Sequence, residues 1–130
     1  MVGVFVAPLV SLYTRDVEAG LALYRDRLGF EETFRTPRDG IPTHVELRLD
    51  GVTLGLGTVE AARIVHGVEA APGSPATVLV LWTDDLDGAF TNLVEGGAPA
   101  VQPPHDSGAN RSALVRDPDG NLVEIVATRT

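Results

Sequence analysis

The chain of 130 residues contains no cysteine, which excludes disulfides, thiolate metal ligands and a cysteine nucleophile. Lysine is absent as well, all ten basic residues being arginine. That removes Schiff-base chemistry and a lysine general base. Positive charge is short overall: 18 acids against 10 bases leave a net charge of −8. Such a surface repels phosphates, so no nucleic-acid partner is expected. The plain consequence of the charge is solubility, and the sharper one is a preference for a cationic ligand. No run approaches the ~20 apolar residues that span a bilayer, so no membrane partner is expected. The opening residues Met1 to Pro8 are apolar but few and lack a basic leader. They read as a first strand rather than a signal peptide, and the expected location is cytoplasmic. Aromatic residues make up only 5% of the chain and include one tryptophan, Trp82, so the places where they fall carry information. A hydrophobic content of 44% is that of a globular chain, either one domain or two small modules sharing a core.

An internal repeat organises the rest. Leu12-Tyr13-Thr14-Arg15-Asp16-Val17-Glu18 is echoed 69 positions later by Leu81-Trp82-Thr83-Asp84-Asp85-Leu86-Asp87. Each copy reads as the end of a strand, a capping aspartate and the start of a helix. Aspartate suits that place because its carboxylate accepts hydrogen bonds from the free N–H groups of the first helical turn. Val17, Leu21, Tyr24 and Leu28 predict a first helix from about Val17 to Leu28, stopped by Gly29. Leu86, Ala89, Phe90, Leu93 and Val94 predict a second from about Leu86 to Glu95, ended by Gly96-Gly97. Both are apolar on one side and need a sheet to lie on.

Strands are expected at Phe30 to Arg35, Thr43 to Leu49 and Val52 to Thr58, with Asp50-Gly51 as a tight hairpin turn. The second set is Ala100 to Gln102, Ser112 to Arg116 and Leu122 to Thr128, the last two joined by Asp117-Pro118-Asp119-Gly120-Asn121. Each half reads βαβββ, with modules at about 1–59 and 75–130. The Ala-, Gly- and Pro-rich stretch at about 60–74 reads as a linker. The expected fold is α+β: the two modules form one eight-stranded, partly closed curved sheet, with a concave cleft inside and the helices outside.

Strand-Asp-helix-Leu-Gly near the start, its echo in mid-chain, and Asp-Pro-Asp-Gly-Asn followed by Leu-Val-Glu-Ile resemble the glyoxalase / bleomycin-resistance / dioxygenase superfamily (vicinal oxygen chelate fold) over nearly the whole chain. The resemblance implies four metal-ligand positions, one on each of four strands, usually His, Glu or Gln, leaving two open sites for vicinal substrate oxygens. Carried over by position, they fall on Leu9, near Gly55, on Val78 and on Glu124. Leucine, glycine and valine cannot bind such a cation, and one carboxylate is not a site. The expectation is therefore no resident metal or other cofactor and no catalytic residue.

Alternation along the strands turns Leu9, Ser11 and Tyr13 into the cleft, and Val78, Val80 and Trp82 on the matching strand. His44, Glu46 and Arg48 line it from the first module, with Glu124 across from them. Tyr13 and Trp82, equivalent under the repeat, stand near the rim, where two aromatics beside acids suit a planar or cationic guest. Plainer readings stand beside these. Trp82 could be core or interface, Tyr13 a dimer contact, His44-Glu46-Arg48 a solvated strand face, and Glu124 a partner for Arg48 or Arg116. A divalent ion on a displaced set, His44, Glu46 and Glu124, is the alternative metal reading. His105-Asp106-Ser107 has the residue types of a hydrolase triad, but sequence neighbours cannot form that relay. It reads as a loop over the cleft mouth, like Arg38 to Pro42, and His66 falls in the linker.

Three functions compete. The first is a metal-independent binding protein for a small antibiotic-like molecule, a homodimer by family likeness. The second is a metal-dependent lyase, isomerase or dioxygenase with unusual ligands. The third is an interaction module with no small ligand.

Overall fold

The repeated aspartates cap helices in both halves. Asp16 Oδ1 accepts from Ala19 N at 3.1 Å and Asp85 Oδ1 from Gly88 N at 3.0 Å. Two residues earlier, Thr14 Oγ1 and Thr83 Oγ1 accept from the N–H of those aspartates at 3.1 and 3.2 Å. Each strand end is thus tied to the helix that follows, and four otherwise unmatched donors are satisfied.

The computed structural model describes residue 3, residues 5–73 and residues 77–129. The chain divides into two units, Met1–Ala71 and Pro72–Thr130. The first holds β1 (Val10–Thr14), α1 (Val17–Tyr24), β2 (Glu31–Thr36), β3 (His44–Leu49), β4 (Val52–Thr58) and α2 (Val59–His66). The second holds β5 (Val78–Trp82), α3 (Leu86–Glu95), β6 (Ala100–Ser107), β7 (Asn110–Arg116) and β8 (Leu122–Thr128). The architecture is α+β, with two βαβββ modules as expected. Each module builds its own four-stranded sheet, ordered β1-β4-β3-β2 and β5-β8-β7-β6. In each, the first strand pairs parallel to the last and the other pairings are antiparallel.

One face of each sheet carries the core. In the first unit Val45, Leu47, Leu54 and Leu56 are buried with Val17, Leu21 and Tyr24 of α1 and Ala62 of α2, and both helices pack on β4. In the second, Ala113, Val115, Val123 and Ile125 are buried with Leu86 and Leu93 of α3. The β3–β4 hairpin turns at Asp50-Gly51, both with positive φ (50° and 87°), the geometry of a two-residue type I′ turn.

The Asp117–Asn121 turn is built around one buried carboxylate. Asp117 is 3% exposed. Its Oδ1 accepts from Asp119 N (2.9 Å) and Asn121 N (2.8 Å), and its Oδ2 from Asn121 Nδ2 (2.9 Å). Gly120, with φ 94°, closes the turn. A Cβ there would press on Gly73 Cα at 3.2 Å.

Four expectations need correction. The first strand does not include Phe5 to Leu9; it begins at Val10. Ala7 takes a positive φ of 52° and Pro8 has no N–H to donate, which keeps this stretch out of a ladder; Met1, Val2 and Val4 lie outside the described residues. The stretch read as a linker contains α2. Thr58 Oγ1 caps it by accepting from Ala61 N at 3.1 Å, and Gly67 (φ 66°) ends it. His66 therefore sits in the last turn of a helix. The first helix ends at Tyr24 rather than Leu28, because the chain loosens into wider bonds, Asp26 N and Leu28 N donating to Leu21 O and Leu23 O.

The fourth is His105-Asp106-Ser107, which is strand and not loop. The three residues pair with Ser112, Arg111 and Asn110. β6 is an edge strand, and its pairing is interrupted between Gln102 and His105. Pro103 and Pro104 sit in that interruption, where no ladder N–H is needed.

A charge network ties the end of α1 to β2. Glu32 accepts from Arg35 Nε (2.7 Å) and Nη2 (2.8 Å) and from Arg25 Nη1 (3.1 Å). Hydrogen bonding from Arg35, with Arg25 adding to it, holds the Glu32 carboxyl below the usual carboxylate range. A depressed carboxylate stabilises the fold above its unfolded pKa of about 4.3 and loses that contribution as pH falls through the folded value. Glu32→Gln is therefore expected to lower the melting temperature at neutral pH, with the gap to the parent shrinking below about pH 4. A gap independent of pH would contradict this.

Candidate functional site

Strand alternation leaves the second face of each sheet free of helices. In the first unit it presents Leu9, Ser11 and Tyr13 on and just before β1, Gly55 and Gly57 on β4, His44, Glu46 and Arg48 on β3, and Phe34 on β2. The register sets these in rows. Ser11, Gly55, Glu46 and Phe34 lie side by side, and the next row is Tyr13, Gly57, His44 and Thr36. His44 Nε2 and Glu46 Oε2 are hydrogen-bonded at 3.0 Å, with both side chains about a third exposed. Since an ionised carboxylate only accepts, Nε2 is the donor. The Phe34 ring stands 6.2 Å from the His44 ring, tilted by 56°. Leu9, Tyr13 and Phe34 are 38%, 40% and 49% exposed, a large apolar showing around a polar pair.

The second unit repeats the arrangement with altered chemistry. Val78, Val80 and Trp82 on β5 lie beside Leu122, Glu124 and Val126 on β8, with Arg116, Leu114 and Ser112 beyond on β7. Ser112 Oγ donates to Glu124 Oε2 at 2.9 Å. The partner of Glu124 is thus Ser112 rather than an arginine, and Arg116 Nη1 donates instead to Gly120 O at 2.7 Å. Trp82 is 63% exposed, so it is not a core residue of its unit.

The four positions implied for a metal do not fit one. Leu9 and Val78 offer no donor atom. At Gly55 a side chain is absent and its space is taken: an added Cβ would collide with Ser11 Oγ and lie 3.1 Å from His44 Cε1 and 3.2 Å from Leu9 Cδ1. Glu124, one register step beside Val80 as Gly55 is beside Ser11, is the single acid of the set. Of the displaced set, His44 and Glu46 bond to each other in the first unit, and Glu124 bonds Ser112 in the second. Among the described residues, no group of three or more His, Asp or Glu side chains is arranged to hold a metal ion.

Sequence reasoning missed Phe34 and Gly57 on this face. A bulge between Glu32 and Phe34 breaks the alternation by which Phe34 would have been counted. It also missed a cavity of about 810 Å³ at the ends of β1 and β4, lined by Arg15, Val17, Ile41, Pro42, Ile64 and Val65 among others. Six of its fifteen lining residues belong to α2. The Arg38 to Pro42 segment contributes to this cavity, with Pro42 fully buried. A recess of about 360 Å³ in the second unit is polar, lined by Asp84, Asp85, Asp87, Asp106, Arg111 and Arg129. Its two arginines already pair, Arg111 with Asp87 and Asp106, and Arg129 with Asp106. Tyr13, Phe34 and Trp82, with the half-buried Glu46 and Glu124, are on the helix-free faces and not in these recesses.

Solved structures of the same fold span the whole chain. A hypothetical protein, SA1046, from S. aureus is 21% identical over 96% of this chain and 95% of its own, with a TM-score of 0.80. TioX from Micromonospora sp. ML1 is 26% identical over 93% and 97%, with a TM-score of 0.73. TnmS3, an antibiotic binding protein from Streptomyces sp. CB03234, is 23% identical over 99% and 100%, with a TM-score of 0.68. No curated protein sequence matches the chain. The family model of the Glyoxalase/Bleomycin resistance protein/Dioxygenase superfamily matches residues 6–125, both modules included, and the chain belongs to that superfamily.

Proposed function

We propose that this protein binds a small, antibiotic-like molecule, planar or cationic, without a metal ion, and that it does so as a cytoplasmic homodimer. The observation that carries the reading is the pairing of exposed aromatics with held acids on both helix-free faces. Tyr13 and Phe34 flank His44–Glu46, and Trp82 stands on the face that holds Glu124–Ser112. Exposed aromatic surface gains roughly 25 cal/mol per Å² when a guest covers it, and a carboxylate beside it selects for positive charge. Sequestration needs no bond to be made or broken, so it places no demand on the positions that have lost ligand chemistry. TnmS3, which shares the fold, is an antibiotic binding protein, and this supports the reading.

The test is a thermal-shift screen of chelator-treated protein against planar and cationic natural products. A ligand at 100 times its Kd stabilises the native state by about 2.7 kcal/mol, a shift of several degrees. Planar cations are expected to give it and planar anions are not. A screen in which no compound moves the melting temperature would sink the reading. A second reading, an interaction module, draws on the apolar surface of α2, where Ile64 and Val65 are 66% and 69% exposed. It predicts a partner protein that binds undiminished when Tyr13 and Trp82 are replaced.

A further inference from the structure

The row Tyr13–Gly57–His44 crosses three strands, with the glycine in the middle. Neighbouring strands lie about 4.8 Å apart, so the two side chains rise from backbones about 10 Å apart. Nothing lies within 4 Å of where a Cβ on Gly57 would stand. Gly55, one row away, is the opposite case. There Ser11, Leu9 and His44 Cε1 close over the strand. His44 leans toward Gly55 and bonds Glu46, which leaves the space above Gly57 open beside the exposed Tyr13. A flat ring resting there has Tyr13 on one neighbouring strand and His44 on the other.

We propose that Gly57 is the floor of a slot that takes one flat, positively charged or N–H-bearing aromatic ring between Tyr13 and His44. This rests on the binding-protein reading and names its ligand class and position. Charge favours that ring over an anionic one. Glu46 lies next to His44 on β3, and its carboxylate keeps acceptor capacity beyond the single bond to Nε2. The other charge on this strand face, Arg48, is two further positions along, where it pairs in register with Glu31.

Gly57 does not need its glycine for backbone reasons, because it is not among the positive-φ residues and it lies within a strand, where valine is favoured. Gly57→Val therefore fills the slot without straining the chain. The probe is proflavine, a planar cation, titrated by fluorescence in chelator, with anthraquinone-2-sulfonate as the planar anion. The parent is expected to bind proflavine and to bind the anion more weakly. Gly57→Val is expected to weaken proflavine binding about tenfold or more while its melting temperature stays level or rises. Tyr13→Ala, at a half-exposed position, should weaken it also, and Glu46→Gln should erase the preference for the cation. Proflavine binding unchanged in folded Gly57→Val and in Tyr13→Ala would overturn the slot but leave the binding reading standing. Failure of the parent to bind proflavine would overturn the slot too. If the natural-product screen is also blank, the binding reading falls with it.

Discussion

Asp117→Ala is expected to lower the stability of the second unit by about 3 kcal/mol. Three donors converge on that carboxylate, two of them backbone N–H groups, and the residue is 3% exposed. Hydrogen bonds to a charged acceptor are each worth about 1.5–3 kcal/mol, and a buried donor left without a partner costs about 1–3 kcal/mol. The turn's own relaxation and entering water offset part of that sum. The loss falls on the β7–β8 hairpin, whose strands supply Ala113, Val115, Val123 and Ile125 to the core. Urea denaturation followed by the fluorescence of Trp82, the only tryptophan, reads this unit selectively. A loss below about 1 kcal/mol would show that the turn holds its shape through Gly120 and Pro118 alone.

Leu21→Ala should cost about 3 kcal/mol or more in the first unit, since burying and then deleting a leucine in a packed core costs about 2–5 kcal/mol. Leu21 is fully buried at the centre of α1, an eight-residue helix. A helix this short has almost no stability of its own, so its contacts with β4 hold it in place. Far-UV circular dichroism during urea unfolding measures the change. Trp82→Ala should shift the same curve by less than about 1 kcal/mol, since a half-exposed side chain leaves no cavity behind. Equal losses from the two substitutions would contradict the division between a helix-side core and an open second face.

The parts of this structure legible in the sequence are those with a local physical signature. Asp16 and Asp85 announced helices because a capping carboxylate acts within one turn. Asp50-Gly51 announced a hairpin because few residue pairs take two positive φ values. The parts that were not legible depend on partners distant in sequence. The α2 helix was hidden because its first half reads Val-Glu-Ala-Ala and it buries only Ala62. Its caps, Thr58 and Gly67, are a better guide than its composition. The chain at Pro103-Pro104 looked like a loop because proline breaks ladders, yet an edge strand with an interruption accommodates both.

The site shows the same split. Strand parity placed Ser11, Tyr13, Val80, Trp82, His44 and Glu46 on one kind of face, and the registers agree with that placement. Parity failed at Phe34, where a bulge intervenes. The closure of Ser11, Leu9 and His44 over Gly55 could not be read at all, since it depends on side-chain direction across three strands. That closure is what turns a missing ligand into a filled space. It also separates the two units, because the equivalent place on β8 carries Glu124 with Ser112 as its partner.

The most direct test of metal-free binding is elemental analysis of untagged protein, followed by melting curves with Zn²⁺, Mn²⁺, Ni²⁺ and Fe²⁺. A metal that binds only the native state must raise its melting temperature. No stoichiometric metal and no shift with any of the four ions is the expected result. One ion per chain, lost in His44→Ala or Glu124→Ala, would contradict it and return the protein to the metal-using members of its superfamily.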